Sequence, residues 1–207
     1  MQFCPYRQIF LEVGPLAIHW YGIMYLFAFL LAWWMVPRIA PLRGLYFTAD
    51  ETSELLLSVI LGTIIGGRLG YVILYGSEYY LLHPLEVVAV WKGGMSSHGG
   101  IIGVILAGWL FAKRAKINFW QLVDMAVIPA ALGLALGRMG NFINLELYGP
   151  VTNLPWGIEI PGVEGLRHPT QLYAVAKNLI IACICFWALK RAWGKPGMIF
   201  GLFLVLY

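Results

Sequence analysis

Apolar runs of about twenty residues recur along this chain, and no other feature limits its fold so tightly. At 1.5 Å of rise per residue, each run is close to the roughly 30 Å of a bilayer's hydrocarbon core. Backbone groups in lipid must satisfy one another, so runs of this length are expected to cross as helices. A soluble fold of 207 residues that is 60% hydrophobic and 12% charged could not hide its apolar surface, since ordinary soluble domains are about 25% charged. The expected fold is all-α: a polytopic transmembrane helical bundle with an outer loop region, forming a single integral membrane domain over residues 1–207.

Five spans are predicted, with a sixth that is incomplete. The first covers about 16–36 and stops at Pro37, which has no backbone donor to give the next turn. The second covers about 55–75, preceded by Thr48, Asp50 and Glu51 as capping residues. A short third span covers about 99–112, a fourth 119–142, and a fifth 169–189 with Pro169 in its first turn. The last run, 198–207, amounts to about 15 Å of helix, half a membrane thickness, and is expected to be cut. Met1 to Gly14 is mixed in character, and no small-residue cleavage site follows the first long run, so that run is expected to stay as a helix.

Loop charges give the orientation. The loops after spans one, three and five hold Arg38 and Arg43; Lys113, Arg114 and Lys116; and Lys190, Arg191 and Lys195, whereas the other side has Arg7, Lys92 and Arg167. The positive-inside rule makes the richer face cytoplasmic and puts the N-terminus outside. The net charge of +4 comes from these short clusters rather than a hydrophilic face, so it marks topology and no nucleic-acid partner is expected.

On this placement several helices deliver polar groups to the outer level: His19 and Tyr21, Arg68, His98, Arg138 and Asn141 with Asn144 and Glu146 just beyond, and His168. Arginines near a helix end either snorkel to the interface or serve a site, and two at matching depth favour a site. Gly67-Arg68-Leu69-Gly70 and Gly137-Arg138-Met139-Gly140 form a local echo. Small residues four apart (Gly62, Gly66, Gly70; Gly99, Gly103, Ala107; Gly133, Gly137) are expected to let helices approach closely. His98 follows a glycine-rich stretch that can bend at membrane depth only where buried in protein or lining a wet cavity. His83, in an interfacial segment over 81–91, is expected to be merely solvated. Four separated histidines show no metal-ligand spacing, Cys183 and Cys185 point to opposite helix faces, and Cys4 is a lone outer thiol, so neither metal nor disulfide framework is expected.

His19-Trp20-Tyr21-Gly22, Gly66-Gly67-Arg68-Leu69-Gly70-Tyr71, Gly93-Gly94-Met95-Ser96-Ser97-His98-Gly99-Gly100, Gly137-Arg138-Met139-Gly140-Asn141-Phe142-Ile143-Asn144 with Glu146 and Gly149, and Arg167-His168-Pro169-Thr170-Gln171-Leu172-Tyr173 stand in collinear order over nearly the whole chain. Together they resemble the prolipoprotein diacylglyceryl transferase family. The resemblance implies a multi-pass enzyme of the bacterial inner membrane with its site toward the periplasm. It would move the diacylglyceryl group of phosphatidylglycerol to the lipobox cysteine of a prolipoprotein signal peptide, forming a thioether and releasing glycerol phosphate without a cofactor. It also implies that Arg138 contacts the phospholipid and that His98 matters for activity. Family members usually carry an aromatic residue where Ser97 stands, and they continue past the last run to a further essential arginine.

The residues expected to carry the reaction are therefore His98 and Arg138. Arg138, Asn141, Asn144, Glu146, Arg68, Tyr21 and His168 are expected to hold the lipid. Glu146 either pairs with an arginine or caps the fourth helix, and Arg68 either touches lipid or braces Glu146. The loop over 148–167 is expected to be irregular and to guide the signal peptide. An anion transporter would place its site near the midplane, yet the inner halves of the spans are nearly devoid of charge. A serine protease would use Ser96 or Ser97 with His98, but adjacent residues in a bend align poorly as nucleophile and base.

Overall fold

The computed structural model describes residues 9–13, 16–191 and 194–207; Cys4 and Arg7 fall outside them. The chain opens with an antiparallel hairpin, β1 (Ile9–Val13) and β2 (Leu16–His19), in which Ile9 faces His19 and Val13 faces Leu16. These strands flank Gly14-Pro15, a turn signal in the sequence. Helix α1 (Trp20–Ile39) therefore starts later than the apolar run that contains it. It also continues through Pro37, which lies in its last turn, and ends two residues later. A 3-10 turn over Ala40–Arg43 then stops at Gly44, whose φ of 69° suits glycine.

Helix α2 (Ala49–Tyr75) begins before the expected Leu55 because Thr48 builds a capping box. The Glu51 N–H donates to Thr48 Oγ1 at 3.2 Å, and the Thr48 N–H donates to Glu51 Oε2 at 2.8 Å. The segment that follows contains a short helix, α3 (Ser77–Leu82), and two 3-10 turns, Pro84–Val88 and Val90–Lys92. Beyond it lie α4 (Ser97–Arg114), α5 (Phe119–Ile143), α6 (Thr170–Lys190) and α7 (Met198–Leu206). Among the described residues, α1 with its 3-10 extension, α2, α5 and α6 are long and apolar enough to cross a membrane. Helix α4 has 18 residues but carries His98, Lys113 and Arg114 at its ends.

The chain divides into two compact units, the described residues of Met1–Val36 with Asp124–Tyr207, and Pro37–Val123. Both divisions fall inside helices, α1 and α5, rather than in linkers.

Within Pro37–Val123, α2 and α4 meet along a seam of small residues. A Cβ added at Gly62 would lie 2.6 Å from the Gly103 carbonyl oxygen, and one at Gly70 would lie 2.8 Å from Gly99 Cα. At Gly66, Gly99 and Gly103 the facing carbonyls stand closer still. Lipid offers helices no hydrophobic reason to associate, so backbone contact of this kind supplies the attraction. Glu54 and Arg114 join the same helices at one end, 2.8 Å apart. The packing role expected for small residues does not extend to Gly137, where an added Cβ would meet nothing within 4 Å; Gly133 makes only ordinary contact with Ala28.

In the other unit, Met125, Ala131, Cys185, Leu189 and Ile199 are fully buried, and so is Asp124. The Asp124 carboxylate accepts the Gly197 N–H at 2.8 Å and the Phe200 N–H at 2.9 Å, capping α7 from α5. Thus the halves of the spans expected to be nearly devoid of charge do hold one carboxylate, paired with a helix N-terminus that has no side-chain cap of its own.

Candidate active site

Helix α5 ends in an unusual way, and that ending shapes the polar corner. The Glu146 N–H reaches back to the Asn141 carbonyl at 2.9 Å and the Leu145 N–H to Phe142 at 3.1 Å, a Schellman pattern. Its left-handed position is held by a leucine: Leu145 has φ 56°, and Leu147 beyond Glu146 has φ 54°. Each such residue costs about 1–2 kcal/mol. The turn folds Glu146 over the helix end, where its carboxylate accepts from Asn141 Nδ2 at 3.4 Å and Asn144 Nδ2 at 3.3 Å. Among the described residues no arginine pairs with Glu146, so of the two expected roles the geometry matches closing the helix end.

The start of α6 is stitched to the same corner. Gln171 Nε2 donates to the Glu146 carbonyl at 2.5 Å, and Thr170 Oγ1 donates to the Leu147 carbonyl at 2.9 Å. The loop over 148–167 is more regular than its composition suggests. Thr152 N–H donates to Leu166 O at 2.8 Å, while Ile158 and Arg167 exchange backbone bonds at 2.9 and 2.8 Å. His168 follows, its Nδ1 lying 3.0 Å from the Tyr173 hydroxyl, which accepts the Trp156 indole N–H at 2.7 Å. The hydroxyl thus links the Trp156 indole to the His168 ring.

Tyr21 lies in the first turn of α1, and its ring covers Gly140, where an added Cβ would sit 3.1 Å from Tyr21 Cδ2. Arg138 stands one turn before Asn141 on the same helix face. It is half-buried and makes no hydrogen bond or ion pair with any described residue. The unit therefore gathers Tyr21, Asn141, Asn144 and Glu146 at one end of α5, with Arg138 a turn below and His168 at the adjoining start of α6.

Arg68 and His98 belong to the other unit. Arg68 is 4% exposed. Its Nε donates to Val87 O at 2.8 Å, its Nη1 to Gly93 O at 2.6 Å and Gly94 O at 3.1 Å, and its Nη2 to Glu86 O at 2.6 Å. Tyr71 and Tyr80 present ring faces 5.9 and 5.1 Å away. With four of its five N–H groups on backbone carbonyls, Arg68 has little left for lipid or for Glu146, the two roles expected of it.

His98 is exposed in the first turn of α4. Ser96 caps that helix, its buried Oγ accepting the Gly99 N–H at 3.3 Å. His83 is exposed and stacks on Tyr79, 4.4 Å between ring centroids. Among the described residues no cluster of three potential metal ligands occurs.

The family model for prolipoprotein diacylglyceryl transferase matches residues 8–207. The chain belongs to the prolipoprotein diacylglyceryl transferase family. Relatives named phosphatidylglycerol–prolipoprotein diacylglyceryl transferase include one from Geobacter sulfurreducens, 46% identical over 100% of this chain and 80% of the relative. Others are from Chromohalobacter salexigens, 44% identical over 95% and 73%, and Pasteurella multocida, 43% identical over 99% and 76%.

In this member of the prolipoprotein diacylglyceryl transferase family, three features escaped the sequence reading. Asp124 had a signal, since a lone carboxylate in an apolar span needs a partner. The Trp156–Tyr173–His168 chain had none, because nothing in the sequence pairs Trp156 with Tyr173. The left-handed Leu145 and Leu147 were equally silent, as leucine is not a residue that marks such positions.

Proposed function

We propose that this chain, a bacterial inner-membrane enzyme with its N-terminus and active site on the periplasmic side, transfers the diacylglyceryl group of phosphatidylglycerol to the lipobox cysteine of a prolipoprotein. Family membership supports the reaction, and one observation supports the site. Arg138 is a half-buried guanidinium with no partner among the described residues, one turn from a corner of amide and carboxylate groups.

The cysteine sulfur forms a bond to the glyceryl carbon that carries the phosphodiester, and the carbon–oxygen bond to phosphate breaks. The electron pair leaves with glycerol phosphate, so a phosphodiester monoanion becomes a leaving group approaching a dianion. A fixed cation beside those oxygens binds the transition state more tightly than the lipid, which is the condition for catalysis. Arg138 supplies that cation. Asn141 and Asn144 each keep an N–H beyond the one given to Glu146, and the buried Asn144 Oδ1, unpartnered among the described residues, can accept from a glycerol hydroxyl. His168, its Nδ1 engaged with the Tyr173 hydroxyl, leaves Nε2 for the head group, and Tyr21 walls the Gly140 side of the corner.

The thiol proton goes to His98 as base, or to solvent with His98 serving as a head-group ligand. At a thiol pKa of about 8.5, roughly 3% is already thiolate at pH 7, so complete deprotonation gains about 30-fold at most, or about 2 kcal/mol. Stabilising the leaving group therefore outranks base catalysis.

The test is a mass-spectrometric assay of purified protein with phosphatidylglycerol and a lipobox peptide. Thioether-linked diacylglyceryl should appear on the peptide, Arg138→Ala should lower kcat by about 100- to 1,000-fold, and Arg138→Lys should restore part of it. Full activity in Arg138→Ala would remove this arginine from the reaction. No transfer by folded, lipid-binding wild type would overturn the transferase reading.

A further inference from the structure

We propose that Arg68 is a positioning residue that sets the geometry of His98 without touching the lipid; this rests on the transferase reading. Its guanidinium ties together four carbonyls from two stretches, Glu86–Val87 and Gly93–Gly94. Between those stretches the chain runs through the 3-10 turn of Val90–Lys92, and just beyond the second it enters α4 at Ser97, the residue before His98. The neighbouring residue of α2 takes part as well. The Gly67 carbonyl accepts the Ser96 N–H at 2.8 Å, and Ser96 in turn caps the Gly99 amide. The turn of helix that bears His98 thus hangs from two adjacent positions of α2, Arg68 holding the Gly93-Gly94 bend itself and Gly67 holding Ser96 just beyond it.

The backbone at that bend requires the clamp. Gly93 and Gly94 have φ of 82° and 79°, and Gly93 combines this with ψ of −166°, a region that only glycine enters freely. A Cβ added at Gly94 would meet the Tyr71 ring at 2.5 Å, the same ring that faces the guanidinium. Two left-handed glycines in succession have many alternatives, and charge-assisted bonds to both carbonyls select one. The planar fork of arginine reaches four acceptors at once. A lysine ammonium has three donors on one atom and cannot span both stretches.

Two variants of the full chain test this from opposite sides: Arg68→Lys keeps the charge and removes the fork, whereas Gly94→Ala keeps Arg68 and displaces the bend. Both are measured for kcat and KM toward phosphatidylglycerol in the transfer assay, and for amide exchange over residues 84–100. The expected result in each is a kcat lowered by about 10- to 100-fold, a KM changed less than about twofold, and faster exchange confined to 84–100. Should Arg68→Lys fail to fold, Gly94→Ala carries the same prediction. A raised KM with kcat intact in Arg68→Lys would make Arg68 a lipid ligand and overturn the proposal. Full kcat despite faster exchange would also overturn it, because the clamp would then be irrelevant to His98. If the wild type transfers nothing, the transferase reading falls and the catalytic link falls with it, whereas the exchange result still reports the clamp.

Discussion

Leu145 and Leu147 occupy backbone positions that glycine would fill at no steric cost, and they flank Glu146. Their burial separates the consequences of replacing them. Leu147 is 64% exposed, so Leu147→Gly gives up little packing; relief of about 1–2 kcal/mol of steric cost, less about 0.5–1 kcal/mol of unfolded-state entropy, should leave the protein roughly 0.5 kcal/mol more stable. Leu145 is 8% exposed, and losing a buried leucine costs about 1.5–3 kcal/mol, so Leu145→Gly should lower stability by about 1–2 kcal/mol. Thermal unfolding in one detergent distinguishes the two; equal shifts would show that backbone strain does not set the balance. At this scale the sequence revealed which residues carry polar chemistry but not which atoms they meet. Arg68 and Arg138 sit in the same local motif, yet one is bonded to four carbonyls and the other has no polar partner among the described residues. The difference lies in the glycine bend that folds back over Arg68, a long-range arrangement that local similarity does not encode.

Among the elements, the seam between α2 and α4 gives the sharpest contrast. Backbone faces backbone there, so no flexible side chain can move aside. Gly103→Leu should cost roughly 3 kcal/mol or more and deplete folded protein. Gly137→Ala, with open space around it, should stay near wild-type stability although it adjoins Arg138. A Gly103→Leu protein as stable as Gly137→Ala would remove the seam from the account. Helix α7 depends on Asp124 in another way. Asp124→Ala leaves the half-buried Gly197 and Phe200 N–H groups without their acceptor, and at about 0.5–1.5 kcal/mol for each lost bond it should destabilise by roughly 1–3 kcal/mol, read as a lowered unfolding temperature. Helix existence was legible because apolar length and caps are local properties: Thr48 and Glu51 close α2 as their spacing predicts. Boundaries were less so. The hairpin of Ile9–Val13 with Leu16–His19 draws on cross-strand pairing, and Pro37 sits where a missing donor matters little, so apolarity alone misplaced both ends of α1.

For the whole molecule the decisive quantity is orientation, since every role proposed for Arg138, Asn141 and His168 assumes that their level faces the periplasm. Loop charge is the physical argument: eight lysines and arginines follow spans one, three and five, and by span order Arg7, Lys92 and Arg167 are expected on the other side. Helical structure does not choose between the two orientations, because an inverted bundle has the same helices. Single cysteines in a background with Cys4, Cys183 and Cys185 replaced by serine resolve it. A cysteine at Val163, in the loop before His168, should react in intact cells with a thiol reagent that cannot cross the membrane, and one at Lys116 should react only after the cells are opened. The reverse pattern would put the polar corner on the cytoplasmic side, away from a signal peptide arriving at the periplasmic face, and the transferase mechanism would need a different set of residues. The expected pattern brings thiol substrate, lipid head group and Arg138 to one side of the membrane, which the displacement of glycerol phosphate requires.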